Sequence, residues 1–402
     1  MSEILNINQG VNYNNSVIKY DYHTYSPFLN SFENSDEIRI CVQQQDLYVL
    51  PCESFIYIEA GLTKKDGSTA LTGVTLTNNA IAFLFNEIRY ELNGVEIDQS
   101  RNVGLTSTLK NYISLNKNES DALYNAAWSP GKAITPIRGL INFCIPLKLL
   151  LGFAEDYKKI IVNAKHELIM IRSGTNSNAF LATTEDDDIK LSIFKLQWRL
   201  PQETVADAEK LKLLELINIG RPIEISFRRW EIHEYPVLPK SNQHIWTIKT
   251  SNQLEKPRYV ILALQTKRDN KITADASKFD HCNITDVKVH LNSEIFPYND
   301  LNVKFSTERY ALLYEMYSKF QKSYYGRQCL PLLSRDEFKE IAPIAVIDCS
   351  HQNDSIKSGP VDIKLEFKTE INIPDETAAY CLLLHDRVIE YNPLTTEVRK
   401  MV

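Results

Sequence analysis

Apolar and polar residues alternate along most of this chain with the two-residue period of pleated strands. In the first part the pattern occupies residues 37–42, 54–60, 88–97, 141–147, 162–171 and 189–200. It returns over residues 223–228, 259–264, 287–295, 345–348, 361–369 and 380–390. Successive side chains of a strand point to opposite faces, so each run predicts a strand with one core-facing side. The run Ile81-Ala82-Phe83-Leu84-Phe85 is apolar throughout and predicts a strand buried on both sides. Helical spacing is confined to residues 103–115, 149–157, 203–219 and 307–320. In the third of these, Val205, Ala208, Leu211, Leu214 and Ile217 recur at three-residue steps between charges. That spacing predicts an amphipathic helix ended by Gly220 and Pro222, with Pro201 closing the strand before it.

Part of the pattern occurs twice. Ile88-Arg89-Tyr90-Glu91-Leu92-Asn93-Gly94 alternates up to a Leu-Asn-Gly turn, and Val287-Lys288-Val289-His290-Leu291-Asn292-Ser293 alternates up to Leu-Asn-Ser. The offset is 292 − 93 = 199 residues in a chain of 402, and a helical segment follows each copy. A repeat at half the chain length predicts two copies of one β-domain. Each half holds about eight strand candidates with an inserted helix and long connections at residues 116–140 and 321–340. The expected fold is therefore all-β: two tandem eight-stranded antiparallel jelly rolls with short inserted helices and a linking helix. The expected division is an arm over residues 1–30, a first jelly roll over 31–201, a linking helix over 202–221 and a second jelly roll over 222–402. Two immunoglobulin-like sandwiches are the competing fold, but they need domains of ~100 residues and leave the inserted helices unexplained.

Composition narrows the function. With 45 Lys and Arg against 51 Asp and Glu, the net charge is −6. Proteins that grip nucleic acid need a basic stripe, and Lys64-Lys65, Arg228-Arg229 and Lys267-Arg268 are too scattered to make one. The start, Met1-Ser2-Glu3, is unlike a signal peptide. Apolar stretches such as residues 147–153 fall short of the ~20 residues that cross a bilayer. The seven cysteines read as reduced thiols of an intracellular product.

Candidate chemistry is sparse. Asp348-Cys349-Ser350-His351 and His281-Cys282 place a thiol near an imidazole, but no CxxC or HxxxH pair supplies further metal ligands. Glu185-Asp186-Asp187-Asp188 lacks the spacing and glycine of a calcium loop. No phosphate-cradling glycine loop or GxSxG elbow is present. The expectation is no enzyme activity, no catalytic, cofactor-binding or metal-binding residues, and no cofactor. Tyr310, Tyr314 and Tyr317 fit a helix packed on a sheet better than a base-stacking surface.

The segments Asp36-Glu37-Ile38-Arg39-Ile40 through Gln43-Gln44-Gln45-Asp46, Pro51-Cys52-Glu53-Ser54-Phe55, residues 85–94, residues 153–160, and Gln197-Trp198-Arg199-Leu200-Pro201 carry a likeness over most of residues 30–402. They resemble double jelly-roll major capsid proteins of the Polinton (Maverick) and adintovirus type, including copies integrated in animal genomes. The resemblance implies a virion capsid subunit, made inside the host cell, that forms homotrimers shaped as pseudo-hexagonal capsomers. Its implied partners are further copies of itself and penton and minor capsid proteins, with no sequence-specific nucleic acid and no membrane span. Tyr310, Tyr314, Tyr317, Tyr324 and Tyr325 offer aromatic anchors for subunit contacts. Two other readings stand beside it. A tandem jelly-roll carbohydrate- or receptor-binding protein would need exposed Trp residues on one sheet, and a cupin- or peptide-N-glycanase-like enzyme would need a metal or carboxylate cluster.

Overall fold

The computed structural model describes residues 16–29, 31–43, 48–64, 67–68, 73–183, 189–249, 256–292, 294–351 and 361–401. The alternating runs form two sets of strands. The first set is β1 (Val17–Tyr25), β2 (Glu37–Val42), β3 (Phe55–Lys64), β4 (Phe85–Leu92), β5 (Val95–Arg101), β6 (Leu140–Pro146), β7 (His166–Arg172) and β8 (Ile189–Val205). The second set is β9 (Ile223–Tyr235), β10 (Gln243–Ile248), β11 (Pro257–Thr266), β12 (Ile284–Leu291), β13 (Glu294–Phe296), β14 (Ala345–Asp348), β15 (Ile363–Thr369) and β16 (Thr377–Tyr391).

All pairings in both sets are antiparallel. In the first set β1-β8-β3-β6 form one sheet and β2-β7-β4-β5 the other. In the second set β9-β16-β11-β14 and β10-β15-β12-β13 do the same. The strand orders correspond one for one, so each half is a jelly roll and the chain is a double jelly roll. Helices α1 (Val103–Ser114), α2 (Lys117–Ala122), α3 (Gly152–Asp156), α4 (Asp207–Asn218), α5 (Ala311–Tyr325) and α6 (Arg335–Ile341) sit in the connections. Capping boxes start α2 and α6: Asn116 with Glu119, and Ser334 with Glu337.

The repeated asparagine has one local job in both halves. Asn93 (φ 51°) and Gly94 (φ 78°) make the tight turn between β4 and β5. The Asn93 N–H donates to the Lys165 carbonyl at 2.9 Å, and the Lys165 N–H donates to Asn93 Oδ1 at 2.7 Å. In the second half the Asn292 N–H donates to the Asp362 carbonyl at 3.1 Å, and the Asp362 N–H donates to Asn292 Oδ1 at 2.9 Å. One side chain thus ties the turn to the strand entering beside it, twice.

Several expectations give way. Residues 17–25, assigned to an arm, form β1 and pair with β8; residues 1–15 lie outside the described residues. Pro201 does not close β8, which runs on to Val205. A proline lacks only its N–H, and the Pro201 carbonyl still accepts from the Leu50 N–H at 3.2 Å. The helix expected over 203–219 spans only Asp207–Asn218 and buries none of its residues. The apolar run at 81–85 is buried as expected but turns as a 3-10 segment over Ala82–Leu84 before β4 begins. The connection 321–340 is partly helical, because α5 continues to Tyr325 and α6 follows.

The first core centres on Tyr90, Phe153, His166 and Trp198, all essentially sealed from solvent. The Tyr90 ring stacks on Phe153 at 4.8 Å and meets Trp198 edge-on at 6.2 Å. Tyr90 Oη lies 2.6 Å from His166 Nδ1. Burial pushes His166 down from 6.5 to about 3, so the folded chain refuses a proton that the unfolded chain accepts near pH 6.5. Its contribution is intact above pH 6.5 and is lost as pH falls toward 3, at up to about 1.4 kcal/mol per pH unit. Urea titrations between pH 7.5 and 4.5 should show this loss, and His166→Gln should flatten the slope relative to the native chain. Equal slopes would refute the assignment.

Candidate functional site: the joint between the halves

The two jelly rolls meet over a joint built from α1, α3 and β5 on one side and β9 and α5 on the other. Gly152 opens α3, and a Cβ there would stand 1.8 Å from the Arg228 carbonyl oxygen. Only a residue without a side chain allows the backbones of α3 and β9 to approach this closely. One turn later, Asp156 takes a forked pair of bonds from Arg228, Nε to Oδ2 at 2.8 Å and Nη2 to Oδ1 at 2.5 Å. It also accepts the Arg228 N–H at 2.9 Å. The guanidinium lies 3.7 Å from the Tyr324 ring centroid, and its Nη1 donates to the Tyr324 carbonyl at 3.1 Å. Burial opposes the Arg228 charge, yet the Asp156 bond and charge outweigh it and hold the group more firmly protonated than usual.

Other polar groups at the joint are matched in the same way. The Tyr325 hydroxyl donates to Glu155 Oε1 at 2.6 Å, and Glu155 pairs with the buried Lys110 at 2.9 Å. Burial raises the Tyr325 hydroxyl well above its ordinary range. Asp98 accepts from the Phe153 and Gln99 N–H groups, each at 2.9 Å. Burial raises its carboxyl, and the nearby Arg229 charge works against that rise. Arg229 Nη2 also reaches Gln99 Oε1 at 3.2 Å. The Tyr317 hydroxyl donates to the Tyr112 carbonyl at 3.0 Å, and Gln321 Nε2 to the Leu115 carbonyl at 2.9 Å. Farther along, Asn93 Nδ2 donates to the Thr396 carbonyl at 2.8 Å and Asn163 Nδ2 to the Pro393 carbonyl at 2.7 Å.

These contacts bear out the reading of Tyr310, Tyr314 and Tyr317 as a helix packed on a sheet and leave the five tyrosines little part as subunit anchors. Tyr310 and Tyr317 are buried, and Tyr314, Tyr324 and Tyr325 pack against the core. The anchors expected between subunits are thus consumed within the chain. No sequence signal distinguishes the two uses, because an aromatic residue at helical spacing serves either.

The candidate chemical groups are not brought together. Cys349 is buried and burial pushes its thiol up, while His351 is exposed. The His281 ring stacks on Phe305 at 4.4 Å, and its Nδ1 accepts the Asn283 N–H at 3.0 Å. Residues 185–188 lie outside the described residues. Among the described residues no cluster of His, Cys, Asp and Glu could hold a metal ion, and no helix is long and apolar enough to cross a membrane. Trp128, Trp198 and Trp230 are buried, and Trp246 is half-covered against Tyr235. No sheet therefore presents the exposed Trp platform that the carbohydrate-binding reading needs.

A sequence model described as the double jelly roll-like domain matches residues 74–389. No curated protein matches the chain. The fold is similar to a chain in the structure of the Sputnik virophage, with TM-score 0.64 and 10% identity over 100% of this chain and 92% of that one. It is also similar to the Faustovirus major capsid protein, at TM-score 0.58 and 9% identity over 96% and 92% of the two chains. The mavirus major capsid protein gives TM-score 0.53 and 12% identity over 95% and 90%. At such identities the likeness is one of fold.

A double-mutant cycle on Arg228→Ala and Asp156→Ala should return a coupling of about 1.5–3 kcal/mol in urea unfolding. Gly152→Ala should destabilise by at least ~1–3 kcal/mol, since backbone must move to admit the methyl. A coupling near zero, or a neutral Gly152→Ala, would mean that the joint is not closed as described.

Proposed function

Because the chain belongs to the double jelly roll-like domain family, we propose that it is a major capsid protein, the repeating subunit of an icosahedral viral or virus-like shell. The observation that carries this reading is the joint: two jelly rolls of one connectivity, locked side by side by desolvated and matched polar groups. A shell needs rigid, flat-sided blocks, and two jelly rolls locked side by side make one. The major capsid proteins of mavirus and Faustovirus share the fold along nearly the whole of both chains, which supports the reading.

In this proposal the domains run from 17 to 205 and from 223 to 401, with α4 between them. Three chains close around a threefold axis, and their six jelly rolls outline a hexagonal tile. Head-to-tail contacts close into a ring when the rotation between neighbours completes a circle. The partners are other copies of the chain, then penton and minor capsid proteins of the same shell, and the place of action is the virion. The protein acts by assembly, with no catalytic residue or cofactor.

Light scattering behind size exclusion should give a species near three times 46.2 kDa, and electron micrographs should show hexagonal capsomers or shells. A monomer at every concentration, with no ordered particles, would overturn the proposal.

A further inference from the structure

Beside the joint, α1, α2, α3, the 3-10 turns Pro51–Glu53 and Leu147–Leu149 and the stretch after α5 surround a cavity of about 370 Å³. Its inner wall is buried and includes Cys52, Asn111, Ser114, Leu149 and Ala154. Its rim is exposed and charged, with Glu53, Lys148, Lys158 and Arg327. Asn111, Ser114 and Leu115 are three and four positions apart, so α1 turns one face toward the cavity. A second cavity of about 240 Å³ shares Cys52, Glu53, Leu123 and Lys148 with the first. Beyond them it runs between Tyr22, Phe55, Ala126 and Pro146, a mainly apolar lining.

Several polar groups of this lining are matched inside the chain. Glu155 pairs with Lys110 and Glu119 with Arg327, each at 2.9 Å. Ser114 Oγ donates to the Lys110 carbonyl at 2.7 Å. Asn111 differs. It is 1% exposed, and neither its Oδ1 nor its Nδ2 has a hydrogen-bond partner among the described residues. Exchanging the two atoms of the amide changes nothing, since both are unpartnered. A buried amide in this state is costly and rare, and a leucine would fill much the same space without the cost. Once the two ion pairs are set aside, the charges of the lining are Lys148 and Lys158 against Glu53. That excess favours an anion at the rim. Burial and the Glu53 charge push the Cys52 thiol up, and both lysines work against that rise, so their charges bear on the wall.

We propose that the two cavities are one binding site for an acidic peptide segment of a partner protein. The Asn111 amide offers an acceptor and two N–H donors, and a peptide unit supplies the complementary donor and acceptor. A carboxylate beside that unit meets Lys148 and Lys158, and an apolar side chain next to it enters the second cavity. A donor, an acceptor, a negative charge and an apolar branch close together are what consecutive residues of a peptide carry. The carboxylate belongs to an acidic side chain or to a free C-terminus, since both present the same group to the lysines.

Calorimetric titration of the purified full chain with three blocked tetrapeptides tests the site. Acetyl-Gly-Glu-Leu-Gly-amide carries its only carboxylate on a side chain. Acetyl-Gly-Gly-Gly-Leu carries it at the free C-terminus, and acetyl-Gly-Gln-Leu-Gly-amide carries none. One or both of the charged peptides should bind at one per chain, and the neutral one about tenfold or more weakly. Binding of the first alone identifies an acidic side chain as the source, and binding of the second alone a chain end. Asn111→Leu, and separately the pair Lys148→Gln with Lys158→Gln, should each weaken the bound peptide about tenfold. A urea midpoint no lower than the native one establishes that Asn111→Leu folds. If that midpoint falls, the lysine pair on the exposed rim and the neutral peptide decide. No heat from either charged peptide at millimolar concentration, equal binding of the neutral one, or binding indifferent to the variants overturns the site and leaves water as the partner of Asn111. None of these outcomes bears on whether the chain forms trimers.

Discussion

The structure depends on the removal of water from the seam between its two jelly rolls. Arg228, Asp156, Glu155, Lys110 and Asp98 lie at that seam, and each is held by a specific opposite or hydrogen-bonding partner. A charge taken out of water is costly unless its partner stands in good geometry, and a partner removed leaves the other stranded. The halves therefore have few relative positions in which all of these groups are satisfied at once. Gly152 narrows the choice further, since its α-carbon sits against the Arg228 carbonyl. A seam of this kind fixes the angle between two sheets.

The same demand accounts for the unusual titration states. Shifted acid–base groups often mark reaction centres, and here burial or a structural bond explains each of those at issue. His166 is neutral under Tyr90, Asp98 caps the start of α3 through the Phe153 N–H, and Cys349 and Cys381 are thiols sealed in the second core. Each of them is shut away from solvent. Their environment makes them rigid parts of a framework.

Duplication lets one geometry be used twice. The central strands of one second-half sheet are buried without a break, while their counterparts in the first half alternate between buried and part-exposed residues. That asymmetry follows from joining two equivalent units in line. The second unit's β9 is covered by α1, α3 and β5 of the first.

The fold was largely legible in the linear order of residues, because strand alternation and tight turns are local properties. Asn93 and Asn292 announce the repeat since the turn and its hydrogen bonds need that side chain at that step. Strand continuity through Pro201 was not legible, because whether a missing N–H matters depends on which edge of the strand faces a neighbour. The spacing of Tyr310, Tyr314 and Tyr317 marked a packed helix, but not its partner: Tyr317 reaches the Tyr112 carbonyl across 205 positions of chain, a distance that no local pattern encodes. The sequence by itself determined two all-β units of one design and the absence of recognisable catalytic motifs. Only the tertiary structure decided where the units touch, which of two equivalent sheets stays open and which aromatic residues are used up inside, because those outcomes depend on desolvation across surfaces assembled from distant segments.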